Sequence, residues 1–333
     1  MKTLSLIPFV IGLIGFETCR EESPELWKFG PEYLFKFGVN LAIVKELPDL
    51  KLCVNATMSV KCRPFSTKAE EEFTDALQCY VQDTEKVNYN VDDEGTKILN
   101  SDEDSQKLVT KLIGQKFEII YEKRGIKELK VPTSIQGAQI NIFRMIASHL
   151  DFGFDKFDKG GERFAFVEVV APEKSLIGKC ETAFEVSKQI KFKGMRWDSK
   201  CGDKLHIETF AYGDKSPMIA MDKIRDVKKC TKISPTIFGE VHNRLIPAIL
   251  NITMQSSVTT FVVAPHGFQS HSQNIGTMKY NSNMVKNNDG KLGDSHEHIN
   301  LYLESIEPAT DEFKRITPSH SATIFANDPL IVN

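Results

Sequence analysis

Several features that announce a function are missing from this chain. None of its seven cysteines form a Cys-x-x-Cys pair, so a zinc ribbon is not indicated. There is no excess of charge. The 42 Lys and Arg against 45 Asp and Glu leave a net charge of −3, which excludes nucleic acid as a main partner. The basic runs at 188–193 and 228–229 are offset by acidic ones and read as solvated faces. Beyond the first sixteen residues nothing is long and apolar enough to cross a bilayer. There is no Gly-x-Ser-x-Gly elbow, P-loop or His-Glu-x-x-His. Asp151-Phe152-Gly153 matches a kinase tripeptide, but the catalytic loop, glycine-rich loop and Val-Ala-Ile-Lys strand that give it meaning are lacking. The acidic stretch 85–104 does not have the spacing of an EF-hand loop. The cysteines read as structural, which removes a thiol nucleophile. No constellation nominates an enzyme, and no cofactor or metal is expected.

What is present is ordinary globular composition, 41% hydrophobic and 26% charged over 333 residues, enough for a large core. The opening MKTLSLIPFVIGLIGF is a lysine, an apolar run and then polar Glu17-Thr18, the form of a secretory signal peptide. Cleavage after Gly15 or Thr18 divides the chain into a signal (1–18) and one domain (19–333). The mature product is expected to be secreted and extracellular.

Export makes disulfides the default for Cys19, Cys53, Cys62, Cys79, Cys180, Cys201 and Cys230. The odd count leaves one over, and Cys19, beside the cleavage site, is the obvious odd one. Asn55-Ala56-Thr57 and Asn251-Ile252-Thr253 are glycosylation sequons, usable where they stay exposed.

The one long helical pattern is the stretch 131–152. Pro132 stops an extended run, and Thr133 with Gln136 forms a capping box. Ile135, Ala138, Ile142, Phe143, Met145, Ile146 and Leu150 then share a broad apolar arc, with Gln136, Asn141, Arg144 and Ser148 opposite. An arc this wide predicts a helix over about 133–150, buried on several sides against a curved sheet.

Most of the rest alternates as strands do. Residues 35–44 and 52–63 carry apolar side chains at every second position. A helical or looped excursion at 66–75 precedes a strand at 76–82, and 85–104 reads as a surface loop. Residues 117–121 and 126–131 flank Lys-Arg-Gly as a hairpin. A strand at 163–170 follows, then a pair at 178–186 and 189–197, and short strands at 205–210, 218–221, 246–254, 259–264, 275–280 and 299–306. If 52–63 and 76–82 pair, Cys53 comes near Cys79, with Cys62 competing. Cys180 and Cys201 bracket the 178–197 pair, where a bond would close its open end. His296 and His298 share a strand face, with His266 and His271 in a nearby loop; the bland reading is exposed histidines, the sharper one a metal site. The fold class is mainly β (α+β), ten or more antiparallel strands around one central helix.

Taken in order, the first strand, its hairpin partner, the Gln139-Ile140-Asn141-Ile142-Phe143-Arg144-Met145-Ile146-Ala147-Ser148 helix and the Gly178-Lys179-Cys180-Glu181 strand resemble the N-terminal domain of the vitellogenins and related large lipid-transfer proteins. Asn141, Ile142, Arg144, Ile146, Ser148 and Leu150 fit the family's helix, and Gly178, Cys180 and Glu181 its strand. The resemblance runs from about residue 27 to about 310. It implies an antiparallel β-barrel wrapped around one helix, with Cys180–Cys201 as the family's first disulfide. Its implied partners are a lipid, a lipoprotein or a cell-surface receptor. The chain stops where the family's helical horseshoe would begin and lacks a polyserine run, which sets lipid carriage against two alternatives, a lipid-free protein-binding module and a yolk-like nutrient store.

Overall fold

The computed structural model describes residues 25–45, 51–69, 72–91, 97–100, 110–122, 125–135, 137–153, 166–189, 196–198, 204–206, 218–231, 250–264, 267–280 and 291–326. The signal-like segment and the proposed cleavage site lie outside them. In chain order the elements are β1 (Pro31–Lys45), β2 (Lys51–Ala69), β3 (Glu72–Val91), β4 (Lys97–Asn100), β5 (Lys116–Glu122), β6 (Gly125–Pro132), the helix α1 (Gly137–Ser148), β7 (Phe166–Lys174) and β8 (Lys179–Gln189). Then follow β9 (Arg196–Asp198), β10 (Lys204–His206), β11 (Met218–Thr231), β12 (Leu250–Ala264), β13 (Gly267–Tyr280), β14 (Lys291–Pro308) and β15 (Ser319–Ala322).

Thirteen of these strands form one sheet, in the order β15-β6-β5-β3-β2-β1-β14-β13-β12-β11-β8-β7, with β4 beside β3. Every ladder between its strands is antiparallel. β9 and β10 make a separate ribbon. The cause is plainest in β1. Tyr33, Phe35, Phe37, Val39, Leu41 and Ile43 alternate, and all six are buried in one core with Val54, Ala56, Met58 and Val60 of β2. Phe37 stands opposite Met58 and Val39 opposite Ala56. Each fully buried side chain of this size contributes roughly 1.5–3 kcal/mol.

The sheet curls over α1. Ile135, Ile140, Ile142, Phe143, Met145, Ile146, Ala147 and Leu150 all lie in the same core, and Phe143 stacks on Phe117 of β5 with ring centroids 4.4 Å apart. The side chain of Ala138 falls outside those described. The helix is shorter than the sequence suggests. β6 runs to Pro132 in register with Ser319, and the chain then leaves the sheet through a turn in which the Ile135 amide donates to the Pro132 carbonyl at 3.1 Å. Thr133 lies in that turn, and Gln136, the other half of the expected capping box, lies outside the described residues.

Other expectations need correction. In place of the excursion at 66–75, residues 66–69 and 72–75 are paired strand, with Ala69 opposite Glu72. Part of the acidic stretch 85–104 is strand, since β3 continues to Val91 and β4 pairs with it. Among the described residues 178–186 does not pair with 189–197: β8 lies between β7 and β11. That topology moves the disulfide. Cys180 bonds Cys230 of β11, with Cα atoms 4.0 Å apart, so the expected Cys180–Cys201 bond is replaced. Cys62 and Cys79, directly opposite across the β2–β3 ladder, bond each other, so the Cys53–Cys79 pairing is also wrong. Cys53 is also disulfide-bonded, and Cys19 and Cys201 lie outside the described residues.

β7 and β15 are the two ends of the sheet, and no ladder joins them among the described residues. Their surroundings do touch. Ala326 N–H donates to Leu176 C=O at 3.2 Å, and Lys174 pairs with Glu122 at 3.0 Å.

Candidate functional site

The inner face of the sheet changes character beyond the helix. On β11 the inward residues run Ile219, Met221, Lys223, Arg225, so two cations occupy positions in an apolar phase. Both are buried, as is Glu173 at the end of β7. Lys223 Nζ lies 2.9 Å from Glu173 Oε1 and 2.6 Å from the Asp151 carbonyl, above the Phe261 ring at 5.0 Å. Arg225 places Nη2 3.0 Å from Glu173 Oε1 and Nε 2.9 Å from its Oε2, and its Nη1 donates to Ser257 and Thr259. Thr182 donates to Glu173 at 3.0 Å. The hydroxyls of Thr259 and Ser272 meet at 2.7 Å, and Asn274 donates to Glu297 at 2.9 Å.

Burial alone would raise the Glu173 carboxyl, but the charges of Arg225 and Lys223 override it and hold it at about 2. Asp151 goes the other way. Burial raises it, with Lys223 opposing. A methyl group on Gly125, whose φ is 113°, would sit on the Asp151 carboxylate, which explains the glycine there. At the end of α1, His149 Nδ1 lies 2.6 Å from Ser270 Oγ, while that hydroxyl donates to the His149 carbonyl. Nδ1 is therefore the protonated nitrogen of a neutral ring. Burial first, and then the charges of Arg225 and Lys223, push His149 down to about 3. Arg144 is fully buried on the supposedly polar side of the helix. Its Nε donates to the Thr323 carbonyl and its Nη1 to Asn141, each at 2.8 Å.

His271, expected in a loop, lies in a strand, while His296 and His298 share a strand face as expected. His271 is buried within β13, and its Nε2 lies 3.4 Å from Nδ1 of His298 on the outer face of the sheet. His296 shares that face and His266 lies outside the described residues. Burial is the first cause that lowers His271 to about 2, with His298 and His149 adding to it. Burial and then His296 lower His298 to about 4. Both rings are neutral near pH 7, and the described residues contain no group of three or more His, Cys, Asp or Glu side chains able to hold a metal. Asn55 is half-buried on β2 with Thr57 exposed; Asn251 lies on β12, opposite Lys279.

Sequence reasoning missed Glu173, Lys223 and Arg225. In the run Met-Ile-Ala-Met-Asp-Lys-Ile-Arg-Asp both phases hold charges, and nothing local tells which faces inward. The arrangement orders the interior. With Glu173 shared between Lys223 and Arg225, and the hydroxyls of Thr182, Ser257, Thr259 and Ser272 bonded within the cluster, it presents no nucleophile–base pair to solvent among the described residues.

The comparisons agree with this architecture. The model of the vitellogenin N-terminal domain matches residues 59–311. A solved structure titled "Lipid-protein interactions in lipovitellin" aligns over 91% of this chain at 13% identity, with a TM-score of 0.53. This chain spans 28% of that one. A Nitrosomonas europaea protein whose title names AttH aligns over 81% of this chain and 92% of its own at 8% identity, but its TM-score of 0.13 carries no argument. A search of curated proteins finds no match. Within the described residues no helix is long and apolar enough to cross a membrane. With the family model covering most of the sequence and the fold shared with lipovitellin, this chain belongs to the vitellogenin N-terminal domain family.

Proposed function

We propose that the chain is a secreted, glycosylated protein of the vitellogenin type that binds a lipoprotein, or a receptor for one, on the outside of a β-barrel. The observation that carries this reading is the occupied interior. One half is filled by α1 and its aromatic contacts, the other by the Glu173–Lys223–Arg225 cluster and the hydroxyls around it. Acyl chains seek a dry apolar surface, and the second half sets ion pairs and donors among its apolar side chains. The contacts of Ala326 with Leu176 and of Lys174 with Glu122 support a barrel whose ends meet beyond the last residues of β7, with the run 166–171 left unpaired among the described residues. No step here calls for a catalytic group or a cofactor.

A second reading, lipid carriage by this domain itself, is favoured by the fold shared with lipovitellin, whose title speaks of lipid–protein interactions. Native mass spectrometry with solvent extraction separates the two, on protein secreted from eukaryotic cells and purified without detergent. A lipid-free mass is expected. Stoichiometric phospholipid or neutral lipid overturns the reading in favour of carriage.

A further inference from the structure

Among the described residues β7 has one unpaired edge. β7 pairs with β8 from Phe166 opposite Ser187 to Lys174 opposite Lys179. On its other side no strand pairs with it among the described residues. Backbone donors and acceptors along that side face outward, the condition that natural sheets usually blunt with proline, lysine or a covering loop. Here the blunting is at one end, where Pro172 and Lys174 stand. The run 166–171 has neither, and it exposes two large apolar side chains, Phe166 at 58% and Val170 at 56%.

The register gives the chemistry beside this edge. Across the outer face, Val170 lines up with Ala183 and Ile224, and Phe166 with Ser187 and Ala220. Between these rows lies a row of carboxylates, Glu168 opposite Glu185 opposite Asp222. Like charges directly opposite each other on a sheet oppose folding. Asp222 accepts a bond from Thr260, but no cation pairs with Glu168 or Glu185 among the described residues. Ile224, 40% exposed, continues the apolar row inward from the edge. The surface is thus an open strand with an acidic stripe between two apolar ones.

We propose that β7 accepts an extended segment of a partner protein as an added strand, carrying Lys or Arg beside Glu168 and apolar residues two positions to either side. Strand addition supplies main-chain hydrogen bonds, and alternate side chains supply the specificity. The occupant is a different, basic chain. A second copy of this protein paired about the middle of the same run would set Glu168 against Glu168. This inference rests on the outer-surface reading above and gives that partner's chemistry.

The test uses the full chain and two short extended peptides, one centred on Val-Thr-Lys-Thr-Val and the other on Val-Thr-Glu-Thr-Val, with affinity read by calorimetry. The lysine peptide is expected to bind saturably and about tenfold more tightly than its glutamate counterpart. Glu168→Lys, at an exposed position that leaves the fold intact, is expected to reverse that order. Amide exchange is expected to show new protection over 166–171. Equal binding of both peptides, no binding by either, protection elsewhere, or self-association of the chain through β7 each overturns the proposal. Its failure is distinguishable from that of the lipid-free reading. Protein that holds stoichiometric lipid yet selects the lysine peptide keeps the edge and loses that reading; lipid-free protein that ignores both peptides does the reverse.

Discussion

The two halves of the sheet solve the same problem in opposite ways. Under β1, β2, β3, β5 and β6 the inward face is hydrocarbon, and α1 lies against it with Phe143 on Phe117. Under β8, β11, β12 and β13 the inward face sets Lys223, Arg225, Thr259 and Ser272 around Glu173, beside apolar Phe184, Met221, Phe261 and Phe268. The first half is specified by volume and apolar area, which tolerate small shifts. The second is specified by charge geometry, in which each member depends on the others. Burying an ion cluster weakly favours stability at best, yet removing one member leaves an uncompensated charge.

Acid should divide the halves most sharply. His149, His271 and His298 have folded-state values of about 3, 2 and 4, below the ordinary 6.5. The unfolded chain therefore binds protons that the folded chain refuses. The stability these groups contribute is fully present above about pH 6.5 and is lost as pH falls toward 4, at about 1.4 kcal/mol per histidine per pH unit. Asp151, raised by burial, offsets part of this loss. Glu173, held at about 2, releases its share only below the ordinary carboxylate range. Hydrogen exchange between pH 7 and 4 should show β12, β13 and β14 losing protection before β2, β3 and β5; simultaneous loss would mean the sheet melts as one.

Phe143→Ala should cost about 3–5 kcal/mol through the cavity left against Phe117, read as a lowered denaturation midpoint. Glu173→Ala should cost about 3 kcal/mol by stranding Lys223 and Arg225. Replacing Glu173, Lys223 and Arg225 together by Leu, Met and Leu should restore most of that or exceed the parent, turning the polar half into a copy of the apolar one. A triple variant as unstable as Glu173→Ala would show that the cluster does more than neutralise itself. Cys230→Ser should lower stability by about 2–3 kcal/mol, because Cys180 and Cys230 close a long loop. Lys174→Ala, which loses a surface pair with Glu122, should cost under about 1 kcal/mol, and a larger drop would reveal that the pair holds the sheet ends together.

How far these halves were legible follows from the same contrast. β1 and β2 were read closely because hydrophobic alternation and inward orientation coincide there. β12, β13 and β14 read as scattered short strands because Ser, Thr, His and Asn lie inward as well as outward, so the period-2 signal fades. The apolar arc marks the helix, but its start is not legible locally, because a capping signature cannot report that Pro132 before it is held in a sheet. The burial of Arg144 is illegible locally because its acceptor, the Thr323 carbonyl, is remote in sequence. The disulfides were misassigned for a similar reason, since Cys180 meets Cys230 only once β8 is inserted beside β11.

The β1–β14 ladder sets Pro31 opposite Pro308, near the two ends of the chain. At a synthesis rate of about 5–20 residues per second, β1 emerges roughly 15–55 s before its partner exists. Throughout that interval one side of a strand bearing Tyr33, Phe35 and Phe37 is a ready template for any passing β segment. The β1–β2–β3 hairpins can form at once and Cys62–Cys79 can lock early, but the sheet cannot be completed until β14 is made. A nascent chain stalled between β13 and β14 should therefore be the form that folding helpers hold longest and that aggregates most readily once released.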